Sequence, residues 1–169
     1  MDRELAELSS LLGRALSARG WTLATAESCS GGLLAGAVTA TPGSSAWFER
    51  GFVTYSNESK VELLGVASAT LARYGAVSEE TAREMADGAI AHSHADVAIA
   101  ITGIAGPDGG SAAKPVGTVW LAWRQRHGND AQAETHCFPG DRETVRRRVV
   151  MAALERLIAL VKGDAALPR

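Results

Sequence analysis

Apolar residues recur along the chain with two different periods. Leu5, Leu8, Leu12, Ala15 and Leu16 fall three and four positions apart, with Gly20 behind Arg19 as a stop, which predicts an amphipathic helix. Residues 21–26 then alternate with β-forming side chains, Glu27-Ser-Cys-Ser-Gly-Gly32 is polar and flexible, and residues 33–40 are almost wholly apolar. The expected succession is strand, tight turn, buried helix. Pro42-Gly-Ser-Ser45 breaks that helix, after which Trp47, Phe48, Phe52, Val53 and Tyr55 predict extended chain with a bend or bulge near Gly51. Two short helices are expected over 59–64 and 68–74.

In the second half, Ser78 precedes a helical face of Ala82, Met85, Ala86, Ala89 and Ile90, with acidic residues in the first turn. Residues 96–102 form an apolar run short enough for a strand buried on both faces, and it empties into Gly103-Ile-Ala-Gly-Pro-Asp-Gly-Gly110. Residues 116–123 and 131–138 read as two strands joined through Gly128-Asn129, adding an antiparallel pair to an α/β alternation. Asp141 caps a last helix built on Val145, Val149, Ala153, Leu157 and Leu160, and residues 163–169 read as a loose tail. The fold class expected is α/β: a single three-layer α/β/α domain over residues 1–169 with a mixed parallel and antiparallel sheet.

Composition narrows the function. A chain of 169 residues, 46% hydrophobic and 21% charged, has the size of one domain able to bury a core. Seventeen basic against nineteen acidic residues give a formal charge of −2, which excludes a basic protein that coats nucleic acid. No apolar run approaches a membrane span and no signal-peptide core opens the chain, so a cytoplasmic protein without membrane partners is expected. Cys29 and Cys137 lack the spacing of a zinc or redox pair.

Two strand-to-glycine junctions are the places for chemistry, because loops beyond the carboxyl ends of strands present free amides to ligands. In the first, Ser28 and Ser30 precede Gly31 and Gly32 at a helix start. Such serines serve either as ordinary N-caps or as a nucleophile whose oxyanion is held by neighbouring amides. The second, 102–110, has four glycines in nine residues but matches neither the dinucleotide fingerprint nor the P-loop, and reads as a wide turn or a ligand cradle.

A serine nucleophile needs a base. His92, His94, His127 and His136 show no acidic partner in the sequence, and His92 and His94 lie about 200° apart on a helix, which does not suit a shared metal. No metal site is expected. Only Lys60, Lys114 and Lys162 are lysines among seventeen basic residues. Lysine accepts a proton when desolvation lowers its pKa, whereas arginine stays charged. Lys60, behind Tyr55-Ser-Asn-Glu-Ser59, is the candidate base; otherwise it is an exposed first-turn lysine. Arg146-Arg-Arg148 reads as a solvated cluster, with Arg142 or a neighbour available to a phosphate. Trp120 and Trp123 are expected to pack on the sheet.

Taken together and in order, Ala26-Glu-Ser-Cys-Ser-Gly-Gly32, Pro42-Gly-Ser-Ser-Ala46, Gly51-Phe-Val-Thr-Tyr-Ser-Asn57, Gly75-Ala-Val-Ser78, Thr102-Gly-Ile-Ala-Gly-Pro-Asp-Gly-Gly110 and Lys114-Pro-Val-Gly-Thr-Val119 closely resemble the CinA C-terminal domain family. The likeness runs from about residue 5 to residue 160. The family's stand-alone members are nicotinamide-nucleotide amidohydrolases. The resemblance implies hydrolysis of the carboxamide of nicotinamide mononucleotide by a serine–lysine mechanism without metal or cofactor, in a homodimer. Ser28 matches the motif serine and Lys60 the motif lysine. Ser30 stands where the family commonly has threonine, which leaves the choice of nucleophile between Ser28 and Ser30 open. The remaining expected substrate contacts are Gly31, Gly32, Tyr55, Ser56, Asn57, Thr102, Gly103, Ala105, Gly106 and Arg142. The contrasting expectation is a non-catalytic nucleotide-binding or regulatory module, since fold alone does not set activity.

Overall fold

The computed structural model describes residues 2–163. Helix α1 (Arg3–Arg19) is capped by the Asp2 side chain and stopped by left-handed Gly20, and it delivers the chain to β1 (Leu23–Glu27). Helix α2 (Leu33–Thr39) and a single 3-10 turn lead to β2 (Phe48–Val53). Helices α3 (Asn57–Leu64), α4 (Ser68–Tyr74) and α5 (Glu79–Ala91) then precede β3 (Val97–Gly103). A hairpin of β4 (Thr118–Gln125) and β5 (Gln132–Cys137) and the long α6 (Arg142–Lys162) complete it. Gly163 caps α6; the rest of the expected tail, 164–169, lies outside the described residues.

The five strands lie in the order β2-β1-β3-β4-β5, parallel across β2, β1 and β3 and antiparallel beyond. Helices α1, α2 and α6 cover one face and α5, backed by α3 and α4, covers the other. This is the expected three-layer α/β/α domain with a mixed sheet. Strand alternation sorts the two cores by size. Leu23, Val97, Ile99, Ile101, Val119 and Leu121 face α1 and α6. On the other side Ala24, Ala26, Ala98, Ala100 and Ala122 make a flat pavement for the alanines of α5.

The bulge expected near Gly51 falls two positions earlier in the same strand. Leu23 pairs with Phe48 but Ala24 with Arg50, so Glu49 is the extra residue. Its carboxylate is thereby brought against the Arg50 guanidinium and the His94 amide. The first strand also begins and ends later than the alternation suggests. The expected arginine cluster is only partly solvated: Arg146 donates to the Ser30 carbonyl and Arg147 pairs with Asp2 and Glu4, leaving Arg148 exposed. Among the described residues no helix is long and apolar enough to cross a membrane.

Candidate active site

After β1 the chain turns to α2 on one face of the sheet, and after β2 it crosses by α5 on the other face to reach β3. The carboxyl ends of β1 and β3 therefore border a topological switch point, where open α/β sheets leave a crevice. Ser28 is the first residue past β1. Its N–H donates to the Ile101 carbonyl at 2.9 Å, while Thr54 N–H donates to Glu27 O at 2.8 Å, so both neighbouring strands hold its backbone.

Lys60 arrives from α3, whose N-cap is Ser56 accepting from Ser59 N–H. Lys60 and Leu64 are the two buried residues of that helix, four positions apart on its inward face. The lysine is therefore not an exposed first-turn residue: it is 1% exposed. Its Nζ lies 3.0 Å from Ser28 Oγ, 2.7 Å from Thr54 O and 3.4 Å from Tyr55 O. Desolvation by burial lowers its pKa, opposed only by the neighbouring Cys29. Burial in turn pushes the Cys29 thiol up to about 11, so that thiol stays protonated. In its neutral form Nζ has two N–H groups for the two carbonyls and a lone pair left for the Ser28 hydroxyl.

Ser28, Cys29, Lys60 and Tyr55 line a cavity of about 280 Å³, together with residues 76–77, 102–106, Asp108, Gly109 and Arg142. That volume is at the lower end for small-ligand sites. Arg142, the first residue of α6, donates to Gly106 O at 2.8 Å and to the Tyr55 hydroxyl at 2.9 Å, bridging opposite walls. A larger hollow of about 820 Å³ between α1, α2 and the start of α6 is lined by aliphatic residues of α1 and α2 and by charged side chains including Arg142, Arg146 and Arg147, and it reaches neither Ser28 nor Lys60.

Of the residues singled out from the sequence, Ser28, Lys60, Tyr55, Thr102, Gly103, Ala105, Gly106 and Arg142 border one cavity. Ser30, Gly31, Gly32, Ser56 and Asn57 do not. Ser30 is fully buried and its hydroxyl donates to Glu27 Oε2 at 2.7 Å. Gly31 N–H donates to Ser28 O and Gly32 N–H to Glu27 Oε2, so the glycine amides expected to hold an oxyanion are occupied inside the turn. Among the described residues the N–H groups of Cys29 and Ser30 have no partner. Ser56 serves as the cap of α3 and Asn57 is exposed. Thr102 borders the cavity with its hydroxyl given to Ala76 O at 2.7 Å, fastening the 75–77 segment rather than facing inward.

Among the described residues no histidine borders the cavity. His92 Nδ1 lies against Gly88 O, and His136, which shows no acidic partner in sequence, lies 3.0 Å from the Glu134 carboxylate on its own strand. Among the described residues no three His, Cys, Asp or Glu side chains gather as metal ligands do. Glu27, the Thr54 carbonyl and the Ala76-Val77 wall belong to the site without being singled out by the sequence. For Glu27 a signal existed: a carboxylate at the end of an apolar strand, just ahead of a helix start that lacks a side-chain cap of its own.

Comparison with known proteins converges on one group. The CinA C-terminal domain profile matches residues 5–161. Over 156 residues the chain is 55% identical to the nicotinamide-nucleotide amidohydrolase PncC of Escherichia coli K12, covering 92% of this chain and 94% of that one. A CinA-like protein of Chloroherpeton thalassium is 51% identical over 155 residues, which are 90% of this chain but 37% of that longer protein. Among solved structures, the competence/damage inducible protein CihA of Agrobacterium tumefaciens superposes with a TM-score of 0.91 at 47% identity, covering 95% of this chain and 97% of its own.

Proposed function

The chain belongs to the CinA C-terminal domain family, and we propose that as a single domain it hydrolyses the carboxamide of nicotinamide mononucleotide, releasing nicotinate mononucleotide and ammonia. The observation that carries this reading is the 3.0 Å approach of a buried, desolvated Lys60 amine to Ser28 Oγ at the wall of a cavity. A likeness of 55% to a nicotinamide-nucleotide amidohydrolase supplies the substrate.

In this mechanism neutral Lys60 takes the Ser28 proton as Oγ attacks the carboxamide carbon. The carbonyl oxygen becomes a tetrahedral oxyanion, and the open N–H groups of Cys29 and Ser30 are the donors nearest in sequence to Oγ. The C–N bond then breaks, the Lys60 ammonium gives its proton to the departing nitrogen, and ammonia leaves an ester on Ser28. Water repeats the sequence on that ester, giving its proton to Lys60, and Oγ recovers a proton as the carboxylate departs. Ser30 is set aside as nucleophile because its hydroxyl is buried on Glu27 and off the cavity.

Arg142 is the cation placed to meet the 5′-phosphate, as a guanidinium held at the cavity rim between Gly106 O and Tyr55. Tyr55, 60% exposed and bordering the cavity, is the aromatic side chain available to the pyridine. The proposal includes a cytoplasmic homodimer, which light scattering of the purified protein tests.

The deciding experiment supplies purified protein with nicotinamide mononucleotide and measures ammonia and nicotinate mononucleotide against enzyme concentration. Stoichiometric appearance of both supports the reading. A nucleotide-induced rise in Tm with no product overturns it in favour of a binding module. Faster turnover of another carboxamide in a panel would keep the chemistry and replace the substrate.

A further inference from the structure

Among the described residues four of the six α-helices begin at a side chain just before them, whereas α2 and α4 do not. The side chains of Asp2, Ser56, Ser78 and Asp141 each accept one backbone N–H from the first turn of α1, α3, α5 and α6 respectively. Helix α2 starts at left-handed Gly32, which has no side chain, and is capped instead by Glu27, the last residue of the preceding strand.

Glu27 is fully buried, and among the described residues it makes no salt bridge. Four donors converge on its two oxygens: Ser30 Oγ at 2.7 Å, Gly32 N–H at 3.1 Å and Leu34 N–H at 3.0 Å on Oε2, and Ala35 N–H at 2.8 Å on Oε1. Burying a carboxylate is costly, and a serine cap would serve a two-turn helix with far less desolvation. What the longer reach adds is closure across residues 28–31: the carboxylate ties the far side of the turn back to the strand end. On the opposite side Arg146 Nη2 holds the Ser30 carbonyl at 2.9 Å.

We propose that Glu27 is a positioning residue, acting through Ser30 and the first turn of α2 to fix Ser28 Oγ against Lys60 and to keep the Cys29 and Ser30 N–H groups open. The partial positive charge of the α2 N-terminus is directed at Glu27, not at the reaction centre. Ser30 therefore assists from behind the turn while Ser28 faces the cavity. This inference rests on Ser28 being the reacting hydroxyl.

The test compares Glu27→Gln, Ser30→Ala and Ser30→Thr with the wild type in two assays. One is steady-state ammonia release from nicotinamide mononucleotide. The other is the second-order rate at which a small fluorophosphonate labels Ser28 in the absence of substrate. E27Q places an amide N–H against a backbone N–H of α2 and should lower kcat by about 10²-fold, with KM and the pH profile nearly unmoved, because misplacement of a reacting group costs rate. Labelling should fall in parallel. S30A should lose about tenfold in kcat, and S30T, which keeps the hydroxyl, should recover most of that loss.

If E27Q does not fold, the S30A and S30T pair decides. Folded E27Q or S30A labelled as fast as wild type overturns the positioning role, as does a loss confined to Tm. A wild type that labels at Ser28 yet releases no ammonia overturns the substrate reading alone.

Discussion

The two strand-to-glycine junctions look alike as sequence and work in opposite ways. At the end of β1 the turn is closed: Gly31 and Gly32 take positive φ of 60° and 93°, their amides are bound inside the turn, and a buried carboxylate fastens it. At the end of β3 the loop is open. The N–H groups of Ala105, Gly106, Asp108, Gly109 and Gly110 have no partner among the described residues. Its glycines answer to neighbours as much as to any ligand: a Cβ on Gly103 would meet Val119 Cγ2 at 2.7 Å, and one on Gly106 would meet Val116 Cγ1 at 2.5 Å. A rigid turn suits a group that must react at a set point, whereas a loop of free amides suits one that must be gripped. The proposed division is that the first junction governs the chemical step and the second governs binding.

Removing the reacting pair at the closed junction has the largest expected effect. Ser28→Ala and Lys60→Ala should each lower ammonia release from nicotinamide mononucleotide by at least about 10³-fold. S28A should keep the wild-type circular dichroism and a Tm within a few degrees, and near-normal turnover in either variant would remove its assigned role. Next comes the open junction's cation. Arg142→Ala should raise KM by about 10- to 100-fold for the mononucleotide, as expected for one charged hydrogen bond, with a much smaller change for the riboside that lacks phosphate. Equal losses for both compounds would mean that Arg142 acts through Tyr55 and Gly106 instead.

The pH profile separates the junctions further. Burial lowers the Lys60 pKa, so the ammonium forms at pH values below that lowered point and can no longer accept the Ser28 proton. On the acidic limb kcat/KM should therefore fall about tenfold per pH unit, with its midpoint below the ordinary lysine value. R142A should leave that midpoint in place. The sign for stability is the same: the contribution of neutral Lys60 is present above the unfolded-chain value and is lost as pH falls through the lowered one. The smallest and sharpest contrast is between two alanines. Gly31→Ala and Gly106→Ala both force positive φ, which costs about 1–2 kcal/mol of stability in urea titrations, and G106A should lose more because its Cβ also meets Val116 Cγ1 at 2.5 Å. G31A should act mainly on kcat and G106A mainly on KM, and the reverse pattern would break the comparison.

Much of the fold was legible because its signals are local. Ser78 and Asp141 bond to amides three residues on, Gly20 stops α1 in a left-handed turn, and the period-two alanines of β1 and β3 mark one sheet face. The glycine clusters and the shortage of lysines pointed to two loops and one amine. Beyond that the sequence misled where interactions are distant. Arg146 and Arg147, read as a solvated cluster, found partners in Ser30, Asp2 and Glu4.

From the residues alone follow the alternation of elements, their caps, the mixed sheet and the shortlist of reactive side chains, since periodicity and capping depend on neighbours within about four positions. Only the tertiary structure decided that Lys60 is buried beside Ser28, 32 positions away, and that of two hydroxyls in one turn Ser28 borders the cavity while Ser30 is held by Glu27. Desolvation and the convergence of side chains from separate elements arise from packing, and no stretch of sequence carries them by itself.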